Sequence, residues 1–406
     1  MMAPAMRYEE ARKILQKSFG EIAGAERIES NAALGRIAAE EILSPLNLPH
    51  SANAAVDGYA FQSQDTDGEN NVSLRIIGIT KAGHPFKGAI KSGEAVRVYT
   101  GALMPEGADC ALMEEFCIES DGYVHISQSV KAGRNLRPAG ENLHKGEIII
   151  EKGDRLRPAH IGQLAAAGIT SLSVKKPLKV AVISTGDELI ETGEALANGQ
   201  IYDSNRPMLC SLITKSGHEA VDYGIIQDDE EALFNAMSQA IAECDIVITS
   251  GGASAGIEDH TQTALKRMNA QSLFWRLAIK PGRPIAAAQK DNKPIFCLPG
   301  NPVAVQVCFA LFAEPVMMQL TAGQFPPLSS LYVTGDFHHK KRANERAEFI
   351  RVKLALTNEG ETVMLPHGRK GAGVLSSLTG ADGLAELPFG ASDITPGCRL
   401  RFIALS

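Results

Sequence analysis

Aromatic residues make up only 5% of this 406-residue chain, with a single Trp, and no apolar run approaches the roughly 20 residues that a membrane-spanning helix needs. A surplus of basic residues is also lacking. The formal net charge is -7, which argues against a protein that wraps a nucleic-acid backbone and leaves room only for a locally positive pocket. The seven cysteines, Cys110, Cys117, Cys210, Cys244, Cys297, Cys308 and Cys398, are odd in number and include no Cys-x-x-Cys pair. They read as reduced residues without a zinc site. Neither a Walker loop nor the dinucleotide fingerprint occurs, so a nucleoside triphosphatase or nicotinamide enzyme is disfavoured. The first 19 residues carry Arg7, Glu9, Glu10, Arg12, Lys13 and Lys17 with no continuous apolar stretch, so they read as neither signal peptide nor anchor. The expected compartment is the cytoplasm, with no membrane partner.

What is present is a globular composition, 44% hydrophobic and 21% charged, long enough for three or four domains at roughly 100–200 residues each. Tyr8, Ala11, Ile14, Leu15 and Phe19 predict an opening amphipathic helix, and Asn31–Ile42 a second one. Short β-type runs at Leu74–Ile79, Ala95–Tyr99 and Cys110–Met113 predict a β-rich insert, 51–137. It is flanked by a linking region, 1–50 with 138–176, that contains a helix at Pro158–Ala167.

The clearest block is 177–322. Leu178–Ile183, Val221–Ile226, Asp245–Thr249, Ile285–Ala288 and Ile295–Leu298 read as strands, and helices fall between most of them. This alternation predicts a doubly wound, mainly parallel α/β domain. Gln324–Ser330 reads as a linker, and 331–406 as a small C-terminal β-barrel-like domain, because Phe349–Leu356 and Gly397–Leu405 alternate apolar with polar residues.

In open α/β sheets, ligands bind beyond the carboxyl ends of the strands. Three small-residue loops follow predicted strands: Thr185-Gly186-Asp187-Glu188, Ser250-Gly251-Gly252-Ala253-Ser254, and Pro299-Gly300-Asn301-Pro302. Glycine lets backbone N–H groups approach a phosphate without an intervening Cβ. The same edge carries Asp187, Glu188, Asp228, Glu258 and Asp259, which would repel an anion unless a hard cation lay between. Magnesium resolves that conflict. For Asp228 an equally good reading is a helix N-cap, and both roles are compatible. Arg276, Lys280 and Arg283 flank a Pro-Gly turn and suit an oxyanion. On spacing alone, Asp57-Gly58 reads as a turn and Tyr99-Thr100-Gly101 as a strand end.

Taken in order, Asn53-Ala54-Ala55-Val56-Asp57-Gly58-Tyr59-Ala60, Thr100-Gly101-Ala102 with Gly107-Ala108-Asp109, Ser184-Thr185-Gly186-Asp187-Glu188-Leu189, Ser250-Gly251-Gly252-Ala253-Ser254 and Leu298-Pro299-Gly300-Asn301-Pro302 resemble the molybdopterin molybdenumtransferase family, the bacterial MoeA proteins and the C-terminal part of gephyrin. The resemblance runs over essentially the whole chain. It implies an enzyme of molybdenum cofactor synthesis that takes molybdate and adenylylated molybdopterin as substrates, uses Mg2+ and releases AMP. It also implies a homodimer, with a molybdopterin adenylyltransferase and molybdoenzyme maturation proteins as partners. By the resemblance, Asp57 and Thr100 face the pterin or molybdate. Glu188, Asp228 and Asp259 take the magnesium and phosphate side, and Arg276 and Lys280 contact the anions. The family commonly has Ser where this chain has Ala54, Asp at Asn142, and Gly-Ser-Gly at Gly371-Ala372-Gly373. A molybdopterin adenylyltransferase and a non-catalytic scaffold of the same fold are the competing readings.

Overall fold

The computed structural model describes residues 5–68, 71–251, 258–329, 331–340, 346–391 and 393–405. The chain divides into two compact units, one made of Met1–Glu26, Gly35–Ala39 and Val174–Ser406, the other of Arg27–Leu34 and Glu40–Ser173.

Helix α1 (Tyr8–Ser18) opens the first unit and buries Tyr8, Ala11 and Leu15, one stripe at helical spacing. The helix expected over Asn31–Ile42 does not form. Only a single 3-10 turn, Ser30–Ala32, is present, and Gly35 adopts a left-handed φ of 77°. Ala38 instead bridges Val174 and the Ile37 carbonyl accepts from Lys175 N, so pairing with a distant segment overrides local helix propensity.

The second unit is built on a six-stranded sheet of β1 (Gly58–Phe61), β2 (Val72–Thr80), β3 (Glu94–Val98), β4 (Cys110–Met113), β5 (Cys117–Ser120) and β6 (Tyr123–Ile126), in the order β4-β1-β3-β2-β6-β5. Tyr59, Phe61, Leu74, Leu112, Val124 and Ile126 fill its core. The β5/β6 hairpin turns at Asp121-Gly122, where both residues have positive φ, the conformation that an Asp-Gly pair favours. Helix α2 (Pro158–Ala166) has Pro at its start, where the missing N–H costs nothing.

The α/β part of the first unit runs β7 (Lys179–Thr185), α3 (Asn205–Lys215), β8 (Glu219–Ile226), α4 (Glu230–Glu243), β9 (Ile246–Gly251), α5 (Glu258–Arg267), β10 (Gln271–Trp275), β11 (Ala286–Lys290) and β12 (Lys293–Leu298). The sheet order is β8-β7-β9-β12-β11-β10. The first four strands are parallel, and β11 alone runs against its neighbours β12 and β10, so the sheet is mainly parallel, as the alternation predicted. Both faces of β7 are covered. Val180 and Val182 pack into a core with α1 and α3, whereas Ala181 and Ile183 pack with α4 and α5. The chain leaves β7 to one side and returns to β9 on the other, which places the topological switch point between them.

The long apolar helix consists of α6 (Pro302–Cys308), a π turn at Phe309–Ala313, and α7 (Glu314–Ala322). Pro315 lacks an N–H and crowds the preceding turn, which accounts for the widening. Contrary to the expectation that no run is long enough, the helical segment Pro302–Ala322 is long and apolar enough to cross a membrane, yet 78% of its 18-residue apolar window is buried inside the protein.

Five strands then close into a barrel: β13 (Tyr332–Gly335), β14 (Ala347–Leu356), β15 (Thr362–Pro366), β16 (Gly383–Leu387) and β17 (Cys398–Ala404), with β14 pairing to both β15 and β16. Closure removes the exposed edges that an open sheet would offer. Ile279–Lys280 pairs in parallel with Ala347–Glu348 and ties the barrel to the α/β part.

Candidate active site at the strand ends and the barrel wall

The three expected loops begin at one place. Thr185 and Gly251 are register partners at the ends of β7 and β9. A Cβ on Gly251, whose φ is 99°, would overlap the Thr185 carbonyl, so only glycine allows the two strand ends to approach this closely. A Cβ on Gly300 would lie 3.6 Å from the Gly251 Cα, so the Pro299-Gly300-Asn301-Pro302 loop joins them. Gly252, Ser254 and the side chain of Asp259 lie outside the described residues.

On the α4 side of the sheet, Thr185 Oγ1 donates to Asp228 Oδ1 at 3.1 Å, and Asp228 N donates to Asp187 Oδ1 at 3.0 Å. Asp228 is not the helix cap. That role belongs to Asp229, which accepts from Ala232 N at 2.8 Å. The Asp228 carboxylate is therefore left at the strand end. Glu188 is exposed and folds back, its carboxylate 2.5 Å from where a Gly186 Cβ would stand. Among the described residues no three metal-capable side chains form a cluster.

The helix N-termini here are mostly occupied from within. At α3, Asp203 Oδ1 accepts from Asn205 N and Arg206 N. At α4 the cap is Asp229. At α6, Pro302 has no N–H, and Val303 N donates to the Ala372 carbonyl at 3.0 Å. The anion nest expected at Asn301-Pro302 is thus partly filled by the barrel's own backbone.

Arg206, 7% exposed, joins Asp203, Asp222 and Glu191. These ion pairs hold the guanidinium firmly protonated against the cost of burial and fasten the segment between Gly186 and α3 onto β8.

Lys280 sits against the barrel. It lines a cavity of about 200 Å³ together with His338, His339, Glu348, Arg351, His367 and Lys370. Glu348 accepts from Lys280 Nζ at 3.3 Å and approaches His339 Nε2 at 3.1 Å. Arg351 donates to Ser377 Oγ, and to the carbonyls of Arg369 and Gly371, which shapes the loop leading to Ala372. Through the Ala372 contact with Val303, this cationic cavity lies beside the start of α6. Arg276 precedes the turn in a left-handed conformation with φ 63°, its backbone N–H bonded to the Ile285 carbonyl.

In the second unit, Asp57 Oδ1 accepts from Thr100 N at 2.7 Å and from Thr100 Oγ1 at 2.9 Å. The Asp-Gly turn and the strand end thus form one structure. The paired donors, with Arg97 nearby, hold the exposed Asp57 carboxyl below the usual carboxylate range.

Comparison with known proteins accounts for nearly the whole chain. The MoeA N-terminal region (domain I and II) matches residues 6–168, a probable molybdopterin binding domain matches 181–319, and the MoeA C-terminal region (domain IV) matches 338–405. The chain belongs to the MoeA family. Among MoeA-family relatives, a molybdopterin molybdenumtransferase of Haemophilus influenzae is 36% identical over 87% of this chain and 87% of its own length. One from Staphylococcus epidermidis is 33% identical, over 96% and 93%. A solved MoeA structure from Pyrococcus horikoshii superposes with a TM-score of 0.84 at 30% identity, covering 99% of this chain and 100% of that one.

For this MoeA-family chain, sequence spacing missed the barrel side of the site. His338, His339, Arg351, His367 and Lys370 come from separate strands and loops, and no local pattern links them. The one available signal is compositional: basic and imidazole groups gather at His338-His339-Lys340 and His367-Gly368-Arg369-Lys370 in a chain of net charge -7.

Proposed function

We propose that this protein is a molybdopterin molybdenumtransferase: it inserts molybdate at the dithiolene of adenylylated molybdopterin, with Mg2+, and releases AMP. The observation that carries this reading is the contact of Ala372 with the start of α6, which sets a cavity lined by Lys280, Arg351 and Lys370 beside three converging strand-end loops. An oxyanion and a larger ligand then have adjoining places within one compact unit.

In this reading the cations of the barrel cavity hold molybdate, with Glu348 fixing the positions of Lys280 and His339. Asp187 and Asp228 offer carboxylate oxygens at the α4 side, and Glu188 is near enough in sequence to join them. Hard oxygen donors of this kind suit Mg2+, which needs only one or two carboxylates when phosphate oxygens and water complete its shell. Bound there, the ion would offset phosphate charge and polarise the phosphoanhydride. Asp259 and the 250–256 loop belong to the same proposal, as do Arg276 as an anion contact and, supplied by the partner subunit of a homodimer, Asp57 with Thr100 as groups serving the reacting centre. Proximity of the two substrates replaces a protein nucleophile. A homodimer is expected in solution.

Purified protein supplied with adenylylated molybdopterin, molybdate and Mg2+ should release AMP in proportion to enzyme. Release no faster than the protein-free control would refute the assignment.

A further inference from the structure

Anion binding accounts for Lys280, Arg351 and Lys370 around the barrel cavity but not for Glu348, the one carboxylate that lines it among the described residues. A carboxylate in that place repels an oxyanion, so its presence has another cause. Glu348 is the register partner of Lys280 and accepts from its Nζ at 3.3 Å, but the Lys280 side chain is 60% exposed, and an exposed ammonium gains little from such a contact. His339 is the closer and more enclosed partner. Its Nε2 lies 3.1 Å from Glu348 Oε2, and the two side chains are only 12% and 14% exposed.

With Nε2–H directed at Glu348, a second proton on the ring enters at Nδ1. Other charges bear on that step. Arg351 on β14, Lys370 and His367 beyond β15, Lys280 and the adjoining His338 line the same cavity. Lys340 and Asp393 face each other across the strand pair His339–Lys340 and Asp393–Ile394. In the cavity the three cations outnumber Glu348 by two, and this surplus opposes a further positive charge. A dianion cancels the surplus, after which Glu348 and the anion favour the same state of the ring, the imidazolium. Anion and proton then bind with positive coupling.

We infer that His339, with Glu348 as its positioning residue, takes up a proton together with the tetrahedral dianion and delivers it to the oxygen that departs. The inference rests on the proposed function, which makes molybdate the dianion. When two dithiolene sulfurs replace one molybdate oxygen, two Mo–S bonds form, one Mo–O bond breaks and the oxygen leaves as water with two protons. A dithiolene entering as one thiol and one thiolate brings one of these protons. His339 supplies the other and returns to the neutral ring.

Calorimetric titration of the full chain with molybdate near pH 7.5, in two buffers of different ionisation enthalpy, counts the protons taken up per anion bound. The parent should take up a proton with molybdate, and its affinity should rise as pH falls from about 8 to about 6, by up to about tenfold per pH unit. His339→Gln should bind molybdate with most of that uptake lost, whereas His338→Gln and His367→Gln should keep it. Glu348→Gln should take up less of a proton yet bind molybdate no more weakly, since a repelling charge has gone. A merely structural role would weaken binding and leave the proton count unchanged. The inference is overturned if the parent binds no molybdate, if it binds without proton uptake, or if uptake survives His339→Gln. Should His339→Gln fail to fold, an unchanged count in Glu348→Gln or a parent affinity that is flat across this pH range overturns it. AMP release without proton uptake would remove this role of His339 and leave the transferase assignment, whereas uptake through His339 without AMP release would do the reverse.

Discussion

Thr185 donates its hydroxyl to Asp228 at 3.1 Å, while the next carboxylate, Asp229, turns away to cap α4. Two adjacent and chemically identical side chains therefore have separate tasks. Asp228→Asn should lower the rate of AMP release by about 100-fold or more, the scale of a lost electrostatic group in an active site, with little change in unfolding temperature. Asp229→Ala should cost about 1 kcal/mol of stability and leave the rate largely intact. Rate assays and thermal melts on both variants check this, and exchanged outcomes would mean that the two roles are assigned the wrong way round.

Gly251 and Gly300 should differ just as sharply. Ala at 251 meets the Thr185 carbonyl and must hold φ near 99°, whereas Ala at 300 makes only ordinary contact at 3.6 Å. Gly251→Ala should lose at least about 1–3 kcal/mol in urea unfolding from its backbone conformation alone. Gly300→Ala should unfold at nearly the parent's urea midpoint.

The depressed titration of Asp57 depends on Thr100. Thr100→Ala removes the hydroxyl and keeps the backbone N–H, so the Asp57 value should rise part of the way toward the ordinary 3.9 or so. Because the folded value is the lower one, the stabilisation is complete above the unfolded value and is lost as pH falls through the folded value. Parent and variant should therefore converge in stability in strong acid. Carboxyl NMR titration reads the shift directly, and an unmoved Asp57 would contradict it.

Thiol reactivity should sort by burial. Cys110 is pushed up to about 12 and Cys297 to about 11, chiefly by burial, and burial raises Cys308 as well. Hydrogen bonding to Thr395 lowers Cys398. At pH 8 iodoacetamide should modify Cys398 first and spare those three until denaturant is added. Peptide mass spectrometry would detect early labelling of Cys110, which would contradict the packing around it.

The alternation of strands and helices over 177–322 was legible because each central strand is a short apolar run covered on both faces, as in Val180–Ile183. The barrel was legible from period-two alternation in Phe349–Leu356 and Gly397–Leu405. Asn31–Ile42 misled because its local helix preference is weaker than the pairing of Ile37 and Ala38 with the segment at Val174 and Lys175. The β5/β6 hairpin carries its own local signal in Asp121-Gly122, a pair that favours the positive φ both residues adopt.

The sequence by itself determined the mainly parallel α/β domain, the small-residue loops at its strand ends and, through five motifs in order, the family. Those are properties of neighbouring residues, set by side-chain period and by where glycine is tolerated. Only the tertiary structure decided that Asp229 rather than Asp228 caps α4, that Asp57 is held by Thr100, that Lys280 belongs to the barrel cavity, and that Ala372 occupies an amide at the start of α6. Each of these depends on a hydrogen bond or contact whose competing partners lie close together in space, and the choice among them is settled by packing geometry that spacing along the chain does not encode.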